Sequence, residues 1–78
     1  MNKLFNLTDL KLDEKCIVKN LLSQSYIRRR LQDIGLVSGT EVKCVLKSPF
    51  GDPAAYLIKG TVIALREEDA ETVLIEYI

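Results

Sequence analysis

The stretch IRRRLQDIGLVSGTEVKCVLK, residues 27–47, decides how this chain folds. Ile27, Leu31 and Ile34 recur at i, i+4 and i+7, the spacing of one helical face. Gly35 follows directly, where a helix commonly ends in a left-handed residue. Ser23 or Ser25 is placed to serve as N-cap. The spacing therefore predicts a short helix of about three turns over residues 25–34. Leu36 to Thr40 reads as a turn. Residues 41–47 then alternate, with Val42, Cys44 and Leu46 on one face and Glu41, Lys43, Val45 and Lys47 on the other. That is the pattern of a half-buried strand.

Working outward, residues 16–22, CIVKNLL, read as a strand before the helix. Further upstream, Leu4, Leu7 and Leu10 stand three apart, with Thr8 and Asp9 as turn or cap formers; a single helical turn tucked under a domain edge fits them. Downstream, Ser48-Pro49-Phe50-Gly51-Asp52-Pro53 is the strongest loop signal. Residues 54–65, AAYLIKGTVIAL, form a β-rich segment interrupted by Gly60, where a bulge or sharp bend is expected. Residues 66–71 are polar and acidic, a turn or one helical turn. Residues 72–78, TVLIEYI, make a last strand that must pair to avoid an exposed edge. The expectation is a mainly β single domain over residues 1–78. It would be a small, partly open barrel of about five strands with one short inserted helix.

At 78 residues the chain has a small core. Its 47% hydrophobic content places it outside the disordered range. The net charge is zero, yet residues 1–40 carry seven Lys/Arg against four Asp/Glu, and residues 41–78 the reverse, four against seven. Such a dipolar chain suits a charged partner at one face. It lacks the basic excess of a general nucleic-acid binder. Residues 1–10 hold no unbroken apolar core and no small-residue cleavage site, so no secretory leader is expected. No apolar run approaches the roughly 20 residues that span a bilayer.

Order and spacing then reveal a family likeness. A strand is followed by a helix carrying R-R-x-L-x-x-x-G-L (Arg28 to Leu36). Next come V-x-G-T-E-V (Val37 to Val42), P-x-G-D-P (Pro49 to Pro53) and K-G-x-x-I-A-L-R (Lys59 to Arg66). Over residues 7–78 the chain resembles the FeoA family, small proteins of bacterial ferrous iron transport. The resemblance implies an SH3-like β-barrel with a helical insertion, in a non-catalytic accessory protein in the cytoplasm. It implies one partner, the cytoplasmic portion of a FeoB-like membrane permease with its own GTPase domain. Two turns depart from the family pattern, with Leu12-Asp13 where Pro-Gly is common and Ser38 where Pro is common. The same fold occurs in metal-dependent repressors. That leaves an alternative role as a stand-alone regulatory domain binding a repressor segment or a proline-containing peptide.

Chemistry-bearing residues are few. The chain has no histidine. Cys16 and Cys44 form no C-x-x-C pair and read as reduced thiols, with Cys44 as a small core hydrophobe. Glu67, Glu68, Asp69 and Glu71 offer oxygen ligands that attract Fe(II) weakly, but a solvated helical turn is the plainer reading. No metal site, cofactor or catalytic pair is assigned, and no phosphate-binding G-x-x-x-x-G-K-[ST] loop is present. Arg28, Arg29 and Arg30 are the remaining candidates, beside Tyr26. Arg29 is expected to point directly away from the apolar stripe, with Arg28 and Arg30 flanking it, their stems on apolar surface, and Asp33 within reach of Arg29 and Arg30. Two readings stay open, a solvated face and a contact with an acidic protein surface. Nucleic acid is disfavoured, because no stacking aromatics accompany the arginines.

Overall fold

The computed structural model describes residues 4–50 and 52–78. Strand β1 (Phe5–Asn6) leads into a 3-10 turn (Leu7–Asp9), strand β2 (Lys15–Leu21), helix α1 (Ser25–Asp33) and strand β3 (Glu41–Lys47). Strands β4 (Ala54–Ile58) and β5 (Thr61–Leu65), helix α2 (Glu67–Ala70) and strand β6 (Val73–Tyr77) complete the chain. All strand pairs are antiparallel, in the order β1-β6-β2-β3-β4-β5. The sheet does not close, so β1 and β5 remain its two edges. The sixth strand, beyond the five expected, is the two-residue β1.

The core lies on one face of this curved sheet. Cys16 and Val18 of β2, Val42 and Cys44 of β3, Tyr56 and Ile58 of β4, and Val73 and Ile75 of β6 are all essentially inaccessible. Leu7 and Leu10 close it from the N-terminal side, each fully buried. The turn that carries them is fastened by the Asn6 N–H donating to Asp9 Oδ2 at 3.0 Å. The Tyr77 hydroxyl donates to the Asp9 carbonyl at 3.1 Å, tying the same turn to the last strand. Leu4, the third member of that leucine series, is 44% exposed and takes no part.

Helix α1 sits on this core through Leu31, with Ile27 and Ile34 packed at its margin. Its end is a complete Schellman motif. The Leu36 N–H donates to the Leu31 carbonyl and the Gly35 N–H to the Gln32 carbonyl, both at 3.0 Å. Gly35 has φ +109°, a backbone that side chains disfavour. Leu31 and Leu36, brought together by the motif, are both buried. The N-terminus differs from expectation. Gln24 takes the N-cap position without a side-chain cap bond, Ser25 is already helical, and Ser23 Oγ is buried without a partner.

Two strand details also differ. Leu46 was expected inward with Val42 and Cys44, but it is 62% exposed. A register shift between Cys44 and Leu46 explains this: one extra residue on β3 reverses the side-chain alternation beyond it. The 54–65 segment is not one bent strand. Lys59 and Gly60, both at positive φ, form a two-residue turn that folds β5 back on β4. The turn at Leu12-Asp13 keeps a left-handed residue without glycine, with Asp13 at φ 70°, a value Asp tolerates better than most residues. Gly51 of the β3–β4 loop lies outside the described residues.

Candidate functional site

The outer face of α1 carries the residues singled out from sequence, and the structure sorts them into different roles. Tyr26 is 74% exposed, at the start of the helix. Arg29 is exposed, and its side chain makes no hydrogen bond or ion pair among the described residues. Arg28 bends back, its Nη1 donating to the Leu21 carbonyl at 3.3 Å, which fastens the helix to the end of β2. Arg30 reaches across the fold: its Nη2 donates to Asp69 Oδ2 at 3.0 Å.

Asp69 is the residue that sequence reasoning misplaced. It was grouped with a solvated acidic turn, yet it is the one buried charged residue among those described. Its carboxylate also accepts from Arg66, at 3.4 Å from Nε and Nη2. Its carbonyl accepts from the Thr72 hydroxyl at 2.7 Å. A buried carboxylate held between two guanidinium groups locks α1 onto α2. The expected Asp33 pairing does not form, since Arg30 turns to Asp69 instead.

Both arginines of this clamp keep much of their side chain in water, 46% for Arg30 and 60% for Arg66. Solvent screening therefore moderates the clamp. Replacing Asp69 by alanine should lower the free energy of unfolding by about 1–3 kcal/mol, the range for charge-assisted hydrogen bonds. Urea denaturation of the wild type, Asp69→Ala, Arg30→Ala and the double variant measures it. A non-additive cycle is expected, because the two side chains touch.

A second basic surface was not legible in sequence. Register places Lys15 opposite Lys43, and Lys43 opposite Leu57, so lysines from distant parts of the chain meet. With Lys59 and Glu41 they line a shallow open groove floored by Gly39 and Thr40. The acidic counterpart lies around α2, where Asp52, Glu67, Glu68 and Glu71 surround a shallow depression beside Arg66. Asp52 Oδ1 accepts the Glu67 N–H at 2.9 Å, so it serves the start of that helix.

Among the described residues, no three His, Cys, Asp or Glu side chains converge as metal ligands would. Both cysteines are free and buried. Burial, with the Glu41 charge adding to it, pushes the Cys16 thiol up to about 12. Burial likewise raises the Cys44 thiol. Thiols held protonated in this way are poor nucleophiles and poor ligands. Among the described residues no helix is long and apolar enough to cross a membrane.

The FeoA domain family model matches residues 5–77. This chain belongs to the FeoA family. A solved FeoA-like protein from Clostridium acetobutylicum is 33% identical and superposes with a TM-score of 0.91, covering 100% of this chain and 91% of that one. FeoA from Stenotrophomonas maltophilia, solved in complex with zinc and described as an SH3 domain protein, is 32% identical with a TM-score of 0.83. It covers 92% of this chain and 89% of its own. The expected SH3-like fold is thereby established, as an open sheet rather than a closed barrel. A curated relative from Porphyromonas gingivalis is a fusion of Fe(2+) transport protein A with the Fe(2+) transporter FeoB. It is 28% identical over 72 residues, which are 92% of this chain and 8% of the relative. The chain thus spans a small fraction of that fused protein.

Proposed function

We propose that this FeoA-family chain is a non-catalytic cytoplasmic accessory protein. It docks on the cytoplasmic portion of a FeoB-type permease and modulates its uptake of ferrous iron. The observation that carries this reading is the fused relative, in which a FeoA domain and the transporter share one polypeptide. Fusion holds two modules at high effective concentration, and an interface between them gives that arrangement a use.

The docking surface is the outer face of α1. Tyr26 and Arg29 are its available anchors, an exposed aromatic and an exposed guanidinium of the kind that dominates interface energetics. Arg28 and Arg30 border them but are held by Leu21 and Asp69, so they shape the face while supporting the fold. Arg is suited to bidentate contact with a partner carboxylate.

The test is binding of the purified cytoplasmic portion of the permease to the wild type, Tyr26→Ala, Arg29→Glu and the pair together, by calorimetry. Each single change should weaken binding by about tenfold or more, the effect of removing a central anchor. Arg30 is left untouched in this series, because reversing its charge breaks the clamp on Asp69 and confounds binding with folding. Unchanged affinity in the double variant would remove α1 from the interface. Binding to a repressor segment but not to the permease would favour the regulatory alternative.

A further inference from the structure

Like charges directly opposite each other on a sheet are destabilising, yet Lys15 of β2 faces Lys43 of β3. The bonds of this ladder fix how closely. The Val18 N–H donates to the Thr40 carbonyl at 2.9 Å, and the Cys44 N–H to the Glu14 carbonyl at 3.1 Å. Glu14, Cys16 and Val18 are thus the positions of β2 that bond toward β3. Lys15 turns its carbonyl the other way, accepting from the Ile78 N–H at 3.5 Å. Lys15 and Lys43 therefore form a non-hydrogen-bonded pair, the kind with Cα atoms only about 4.5 Å apart and side chains closest.

A third lysine reaches the same groove from the β4–β5 turn. The Lys59 stem lies over Gly35, its Cδ 3.2 Å from where a Cβ on that glycine would stand. Ser38, Thr40 and Glu41 add two hydroxyls and one carboxylate to the lining, beside half-buried Leu57. None of the three ammonium groups makes a hydrogen bond or ion pair among the described residues. Three cations against one carboxylate leave the groove positive. Its volume of about 680 Å³ lies in the range of small-molecule sites.

We propose that this groove binds a soluble polyphosphate anion, inorganic or carried on a small molecule. Tetrahedral phosphates offer oxygens in several directions. That suits ammonium groups arriving from three elements, with hydroxyl donors beside them. An anion of several charges meets all three lysines at once and relieves the repulsion between Lys15 and Lys43. The groove is too sparse for a membrane surface, which is recognised through clusters of roughly four to eight basic residues. No aromatic side chain lines it, so a nucleic-acid base has nothing to stack on. It shares no residue with the α1 face of Tyr26 and Arg29, so the two sites are tested apart.

NMR titration of the isotope-labelled full chain with inorganic triphosphate at low salt is the test. Saturable shifts centred on the amides of Lys15, Gly39, Thr40, Lys43 and Gly60 are expected, with a Kd at or below about 1 mM. Lys15→Gln and Lys43→Gln should each weaken binding by at least about threefold, and Glu41→Gln should tighten it, as expected for charges beside an exposed ion. Lys11→Gln, outside the groove, should leave it unchanged. Absence of saturable shifts by about 10 mM triphosphate overturns the proposal. Binding that responds to the three groove variants no more than to Lys11→Gln overturns the site. Cosedimentation with vesicles of phosphatidylglycerol, in a chain that ignores triphosphate, overturns the soluble ligand and assigns the lysines to a membrane surface. Where a lysine variant fails to fold by circular dichroism, Glu41→Gln decides, because tighter binding requires an intact groove.

Discussion

Replacing Gly35 by alanine is expected to lower the free energy of unfolding by about 2–4 kcal/mol. Two effects add. At φ +109° an L-residue is disfavoured, with a left-handed backbone costing roughly 1–2 kcal/mol. The new Cβ would also stand 3.0 Å from Ile58 Cγ2 and 3.2 Å from Lys59 Cδ. The lysine can swing aside, but Ile58 is locked in the core, and overpacking of that kind costs about 1–3 kcal/mol. A domain of this size has total stability of only about 4–12 kcal/mol. The midpoint of thermal unfolding should therefore fall by about 10–25 °C, which calorimetry reads directly. An unchanged midpoint would mean that the helix ends by some other device.

Alkaline conditions should destabilise the chain strongly, and the sign follows from proton binding. In the folded protein burial pushes Cys16 to about 12, from an ordinary 9.0. Burial, with the Cys44, Cys16 and Glu67 charges behind it, pushes Tyr56 to about 12, from 10.0. Both groups stay protonated in the fold and ionise once it opens. Above pH 9 the unfolded chain binds fewer protons than the folded one, so stability falls as pH rises, until the folded groups titrate near 12. Between pH 9 and 11, Cys16 accounts for a loss of about 2 kcal/mol and Tyr56 for about 1 kcal/mol more. Cys44 adds in the same direction. Urea midpoints from pH 8 to 11 measure the slope. Cys16→Ala should flatten its first part, and a flat profile in the wild type would contradict the burial described for these groups.

How far the sequence announced this structure depends on how local each cause is. The helix and its stop were legible because Ile27, Leu31, Ile34 and Gly35 act within one another's reach. Strand β3 was legible as far as Cys44. The bulge beyond it arises from pairing with β4, so periodicity wrongly put Leu46 inside. The β4–β5 turn was read as a bend in one strand, because Lys-Gly lacks the Asn-Gly signature of a tight hairpin. The candidate site divided along the same line. Exposed Tyr26 and Arg29 follow from helix geometry alone. The burial of Asp69 and its hold on Arg30 join residues 39 positions apart, which only the tertiary fold brings together. The lysine groove likewise exists only because strand register lines up Lys15 and Lys43.

The central claim, that the α1 face meets the permease, is tested most directly by NMR titration. The isotope-labelled chain would be titrated with the cytoplasmic portion of a FeoB-type permease. Saturable shifts centred on Tyr26 and Arg29 and extending to Arg28 and Arg30 are expected. Shifts centred instead on the groove of Lys15, Lys43 and Lys59, or no shifts at saturating partner, would contradict it.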